Sequence, residues 1–169
     1  MTGVRLAVAL VNLPEPWDAA VLDGVLQEHW ISRVGLSPPA CEGLRQLAGR
    51  LRLVFEASTA ETRCDVINGL LARRASPFLT MHDDLPPHLH FAATEDELLH
   101  RVTAFTPGSL AMFTVEAAGR RLGSCARSGC RTVFVDTSLN GRRTYCSSRC
   151  GNSDAVGRHR QRKKTDVSA

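Results

Sequence analysis

A mainly helical α+β protein is the fold class this sequence predicts: an N-terminal helical domain with a small β-hairpin, followed by a small four-cysteine module. Three observations carry that reading. Apolar residues recur at intervals of three and four through most of the first 119 positions. That period breaks between Pro77 and Ala92 into two short runs flanking a proline-containing loop. Four cysteines then fall as two close pairs, Cys125 with Cys130 and Cys146 with Cys150, with fifteen residues between the pairs. The expected division is residues 1–119 for the helical domain and 120–169 for the cysteine module.

A chain of 169 residues can bury one core plus a small appended module. Its net charge of +4 hides an asymmetry. Residues 1–119 hold 9 Lys and Arg against 14 Asp and Glu, whereas residues 120–169 hold 12 against 3. A basic module on an acidic body points to a polyanionic partner at one end. Val4 to Leu13 is the most apolar run near the start, but Arg5 and Asn12 interrupt it. It is also shorter than the roughly 20 residues a membrane span needs. The expectation is a protein of the cytoplasm with no membrane partner and reduced thiols, which disfavours disulfides as the reading of the cysteines.

Residues 4–13 read as a short strand or buried entry segment. Asn12 could cap a helix, line a ligand pocket or hydrogen-bond within the core, and local pairing is the reading favoured. After Pro14-Glu15-Pro16, residues from Asp18 carry Val21, Leu22, Val25, Leu26, Trp30 and Val34 on one helical face, with Gly35 as the stop. Ser37-Pro38 opens the next helix, which turns Leu44, Leu47, Leu51, Val54 and Phe55 inward. Arg45, Arg50 and Arg52, near Glu42 and Glu56, read as a solvated face. Ser58-Thr59-Ala60-Glu61 forms a capping box before Val66, Ile67, Leu70 and Leu71, a helix running to about Arg74. Cys41 and Cys64 sit in these helical patterns as small buried apolar residues.

The runs 77–81 and 88–92 read as a hairpin across Asp83-Asp84-Leu85-Pro86-Pro87. His88 and His90 alternate onto one face, with His82 across from them. Three imidazoles at that spacing could hold a metal or ligand; the other reading is a locally paired set. Thr94 to Glu97 is a second capping box, opening one kinked helix or two around Pro107 that end at Gly119. Residues 120–124 then lead as a short strand into Cys125. No Gly-, Ser- or Pro-rich linker intervenes, so the module is expected to dock on the helical body.

Within the module, Cys125 and Cys130 lie on a tight turn. Thr132 to Val135 is β-branched and aromatic, Leu139-Asn140-Gly141 offers a turn, and Arg143-Thr144-Tyr145 can return as a second strand. Ser147 reads as an N-cap that places Cys150 at the third helical position, where the helix dipole favours a thiolate. A knuckle, a hairpin and a helix supplying the last ligands make a treble-clef arrangement, and four converging thiolates suit a closed, tetrahedral Zn2+ site.

The run Phe134-x-Asp136-x-Ser138-x-Asn140-x-Arg142-Arg143-x-Tyr145-Cys146-Ser147, then Cys150-Gly151-Asn152, resembles the CGNR zinc finger. That finger closes bacterial proteins whose N-terminal region is the ABATE domain, a family regarded as stress-induced transcription regulators. The resemblance implies zinc at Cys125, Cys130, Cys146 and Cys150, and DNA as partner of the basic finger. One departure stands out: Ser153 occupies the place of the arginine that gives the motif its name. Leu10-Val11-Asn12 resembles the hydrophobic run ending in Asn near the start of the family's N-terminal region.

The expectation is therefore a DNA-binding regulator. Arg142 and Arg143 on the return strand, and Arg149, Arg158, Arg160, Arg162, Lys163 and Lys164 on the last helix, are the phosphate-contact candidates. Arg149, Ser153, Val156, Arg160 and Lys163 share a stripe that could face base edges. The same charges could instead form a solvated tail or dock on an acidic subunit, and a homodimer stays open. Two rival readings are a protein that binds a small-molecule effector or a protein partner, its finger purely structural, and a metal-dependent enzyme using His82, His88 and His90. No nucleophile elbow, phosphate loop or other catalytic constellation stands in the sequence, so the expectation is a non-enzyme.

Overall fold

In the computed structural model, residues 1–31, 36–81, 85–93 and 97–167 are described, apart from the side chains of Arg73, Arg74, His159 and residues 162–167. Among them the chain forms six helices and two two-stranded antiparallel hairpins. The mainly helical fold matches the sequence reading. No described helix is long and apolar enough to cross a membrane.

The first element departs from expectation. Residues Thr2–Asn12 form helix α1, not a strand. Val4, Leu6, Ala7, Leu10 and Val11 are all buried, because α1 packs against α3 (Pro38–Glu56) and α5 (Leu98–Glu116) and touches the later strand β4 (Val133–Val135). The buried residues Gly3, Val4, Leu6, Ala7, Leu10 and Val11 recur at helical spacing on one stripe, but half-buried Val8 and Ala9 fill the gap between them. Leu6 to Val11 is therefore an unbroken apolar run, which periodicity alone does not distinguish from a buried strand.

Helix α2 (Ala19–Glu28) starts on Asp18, whose carboxylate accepts from the Val21 amide at 2.8 Å. It stops well before Val34. Trp30 takes the left-handed conformation with φ of 64°, the Ile31 amide donates to Leu26 O, and the Trp30 amide donates to Gln27 O. That is a Schellman end built without glycine, closed by packing of buried Ile31 near Leu26. The turn swings Trp30 out of the core, leaving it 88% exposed. The expected stop at Gly35 lies outside the described residues.

Ser37 caps α3, and Leu44, Leu47, Leu51, Val54 and Phe55 are buried as expected. Helix α4 (Ala60–Arg74) is capped by Thr59, one residue later than the capping box implied, with the Thr62 amide donating to its hydroxyl at 3.1 Å. Cys41 is half-buried and Cys64 exposed, so Cys64 is not the core residue anticipated. Strands β1 (Phe78–Thr80) and β2 (His88–His90) form the expected hairpin. Helix α5 runs unbroken through Pro107. The capping box before it falls on residues 94–96, outside the described set.

A buried arginine joins these parts. Arg63 on α4 is 7% exposed, and its guanidinium donates to four carbonyls: Val54 O at 3.0 Å, Ala57 O at 2.8 Å, Gly119 O at 2.5 Å and Leu122 O at 3.2 Å. These satisfy the end of α3 and the segment leaving α5 together. Burial lowers its pKa from the ordinary arginine value. We predict that Arg63→Ala destabilises the protein by about 3 kcal/mol in urea unfolding, because several buried carbonyls lose a charged donor at once. Arg63→Lys should recover only part, since one ammonium cannot span four acceptors. A cost within about 0.5 kcal/mol, typical of a surface residue, would show that the contact is dispensable.

Candidate metal centre

The cysteine module is built on strands β3 (Leu122–Ser124) and β4 (Val133–Val135), which pair antiparallel with Ser124 opposite Val133. The knuckle Cys125–Cys130 is the loop of this hairpin. Its turn closes with the Cys130 amide on Arg127 O at 3.0 Å, and Gly129 supplies the positive φ of 77° that the turn requires. The expected pairing of 132–135 with 143–145 is therefore incorrect. One edge of β4 is taken by β3, and on the other the Asn12 carboxamide donates to Val133 O and accepts from its amide, both at 2.8 Å. No ladder is left for residues 143–145. Thr144 O instead accepts from the Ala126 amide at 3.0 Å, tying that segment to the knuckle.

The connecting loop is shaped by Asp136, which is 3% exposed. Its carboxylate accepts from the Ser138 amide at 2.9 Å and the Arg143 amide at 2.8 Å. Burial works to raise its pKa, but the hydrogen bonds from Ser138 and Arg143 outweigh it and hold the carboxyl below the usual range. Arg121 braces the same loop by donating to Asp136 O and Ser138 O. Arg143 stacks its guanidinium 4.7 Å from the Phe134 ring centroid and donates to Tyr145 O and Cys146 O. It fixes the turn that delivers Cys146.

Helix α6 (Ser148–Val167) then begins as the sequence implied, the Cys150 amide donating to the Ser147 hydroxyl at 3.2 Å. Tyr145 lies over Gly151, where an added Cβ would come within 3.3 Å of its ring, and donates to Asp154 at 2.8 Å. The four sulfurs converge. All lie within 4.8 Å of one another, with 3.8 Å between Cys130 and Cys146, 3.5 Å between Cys146 and Cys150, and 3.9 Å between Cys150 and Cys130. The edge of a tetrahedron of thiolates around zinc is about 3.8 Å, given Zn–S bonds of about 2.3 Å. The donors fit the ion. Hydrogen bonding from the Thr132 hydroxyl and amide brings Cys130 down to about 6, whereas burial, then its thiol neighbours, pushes Cys146 up to about 11. Four sulfurs cannot all ionise together without a cation, and a divalent ion supplies that charge.

The other candidate residues are placed differently. Asn12 turns its carboxamide to Val133, a use visible only once the two ends of the chain meet. Arg52, read as a solvated charge, donates to Val11 O at 2.7 Å and Arg131 O at 2.6 Å and so bridges body and module. Arg142, Arg149 and Arg160 are exposed, and Arg158 is paired with Asp154 at 3.1 Å. His88 and His90 sit side by side on β2; His82 and the side chains of Arg162, Lys163 and Lys164 lie outside the described residues.

A family model described as the CGNR zinc finger matches residues 121–163. No curated protein matches the chain. The match and the thiolate geometry agree on Zn2+ as the ion of this centre. We predict one zinc per chain by metal analysis of the purified protein. Acidification should release it, because protons compete for thiolates and below pH 6 even Cys130 of the metal-free cluster is protonated. Full occupancy persisting at about pH 4 would contradict a four-thiolate shell. The segment 121–163 is thus a zinc-binding module of the CGNR type.

Proposed function

We propose that the protein binds DNA through this finger and helix α6, as a bacterial transcription regulator in which the N-terminal region is a sensor or interaction module. The observation that carries the reading is the disposition of charge. Helix α6 holds 20 residues, a length of about 30 Å, and the described side chains from Asn152 to Gln161 are exposed apart from that of half-buried Asp154. Arg149 and Arg160 are eleven positions apart, three helical turns, so they share a face with Ser153 and Val156. An exposed, basic, uncovered helix anchored by a zinc knuckle is suited to a groove of nucleic acid. Arg142 adds exposed charge beside it, whereas Arg143 already braces the Cys146 turn. The resemblance of the N-terminal run to the ABATE domain supports the regulatory part.

A specific observation favours a sensing role for the body. An open cleft of about 490 Å³ lies on the seam, lined by Asn12, Trp17, Arg45, Arg52, Arg131 and Thr132. It falls within the size range of small-molecule sites, and a ligand there would touch both body and finger. It is polar and lies on the surface.

The test is a titration of duplex DNA at several salt concentrations. About five phosphate contacts should give a slope of roughly −4 to −5 in log affinity against log salt. Lys163→Ala with Lys164→Ala should flatten it by about one to two and weaken all sequences alike. Ser153→Arg should strengthen binding if that helix face lies on phosphate. A slope near zero would overturn the proposal and leave the finger as a structural element.

A further inference from the structure

We propose that His88 and His90 form a second metal site, open to further ligands and separate from the four thiolates, for a divalent transition ion of the nickel, copper or zinc type. The two residues are two positions apart on β2, so strand alternation sets both rings on one face of the hairpin. Their Nε2 atoms stand 3.1 Å apart. Two imidazole nitrogens each about 2.0–2.1 Å from one ion are about 2.9 Å apart at a right angle and about 3.3 Å apart in a tetrahedron. The observed spacing falls between these, so one ion can be shared with little movement of either ring.

The ring orientation supports the same use. His88 Nδ1 lies 2.8 Å from Pro86 O, an atom that only accepts, so Nδ1 carries the proton and Nε2 presents its lone pair. Metal-ligating histidines are held by this kind of outer hydrogen bond to a carbonyl. Phe78, the cross-strand partner of His90, places its ring centroid 5.5 Å from the imidazole and limits its rotation. Neutral imidazole favours nickel, copper and zinc over calcium and magnesium. An ion held by two protein nitrogens keeps coordination positions open. The same two rings border a cavity of about 240 Å³ with Trp30, Phe91, Arg101 and Phe105, where the Arg101 cation suits an anionic oxygen on the ion. The inference concerns the body alone and does not rest on DNA binding.

Without an ion, an N–H···N hydrogen bond between the rings gives the same separation, and experiment distinguishes the two. The zinc-loaded full chain, its thiolates already occupied, is titrated with Ni2+ by calorimetry. One additional saturable site per chain is expected. His88→Ala with His90→Ala should weaken it by at least about tenfold while the zinc content stays the same. In the unmodified protein, substoichiometric Ni2+ should broaden the ring signals of His88 and His90 ahead of those of His29 and His159, a readout independent of how the variants fold. No Ni2+ heat, unchanged affinity in a natively folded double variant, or broadening of His29 or His159 first would each overturn the site and leave a hydrogen-bonded pair. None of those outcomes bears on the DNA titration, which reads the finger.

Discussion

The peptide unit of Val133 decides how the two parts of this protein fit together. In an antiparallel ladder each residue turns its N–H and C=O to one side, and those of Val133 point away from β3. A bare edge of that kind costs free energy when it is buried. The Asn12 carboxamide fills it with one donor and one acceptor, acting as a third strand one residue long. It can do so because it stands at the last position of α1, whose buried faces fix its place. Arg52 extends the same seam by bonding Val11 O on one side and Arg131 O on the other. Leu122 and Val133 join the helical core beneath, and Arg63 fastens the segment that leads into β3. The finger is therefore seated on the body by buried apolar area and by side chains that complete backbone hydrogen bonds.

That seating leaves the metal centre with a narrower task. Four thiolates and one zinc ion carry a formal charge of about −2, which the N-terminus of α6 and the surrounding guanidinium groups offset. The loop from Val135 to Tyr145 is held by Asp136, Arg121 and Arg143, all turned inward to backbone groups. The remaining cations stand outside this network. Arg142, Arg149 and Arg160 stay exposed, so the residues of the finger divide into those that shape it and those that present charge. Coordination and bracing orient α6; they do not consume its outward face.

Much of this was legible in the sequence, and the exceptions have physical causes. Local signals are reliable: Ser37 and Ser147 cap helices where their residue types imply, and the cysteine spacing marks the metal cluster. What failed was non-local or atypical. α1 resembles a strand in sequence because Leu6 to Val11 is an unbroken apolar run that masks the helical spacing of its buried residues. α2 ended early because Trp30 occupies a left-handed position usually held by glycine, which no propensity rule anticipates. The partner of β4 was misassigned because a short strand can pair forward or backward, and Asn12, 121 residues away, closes one option. Arg52 reads as a surface charge in the sequence, and nothing there singles out Arg63. Their carbonyl partners come from helix ends and loops that only the assembled fold brings together.

The claim that body and finger form one unit through this seam is tested most directly by hydrogen exchange at the Val133 amide in Asn12→Ala. Two hydrogen bonds at about 1 kcal/mol each correspond to roughly thirtyfold faster exchange. The account predicts that acceleration at Val133, with protection retained at Leu6 and Leu10 within α1. Unchanged exchange at Val133 would contradict it, because the finger would then be held in place without the Asn12 contact.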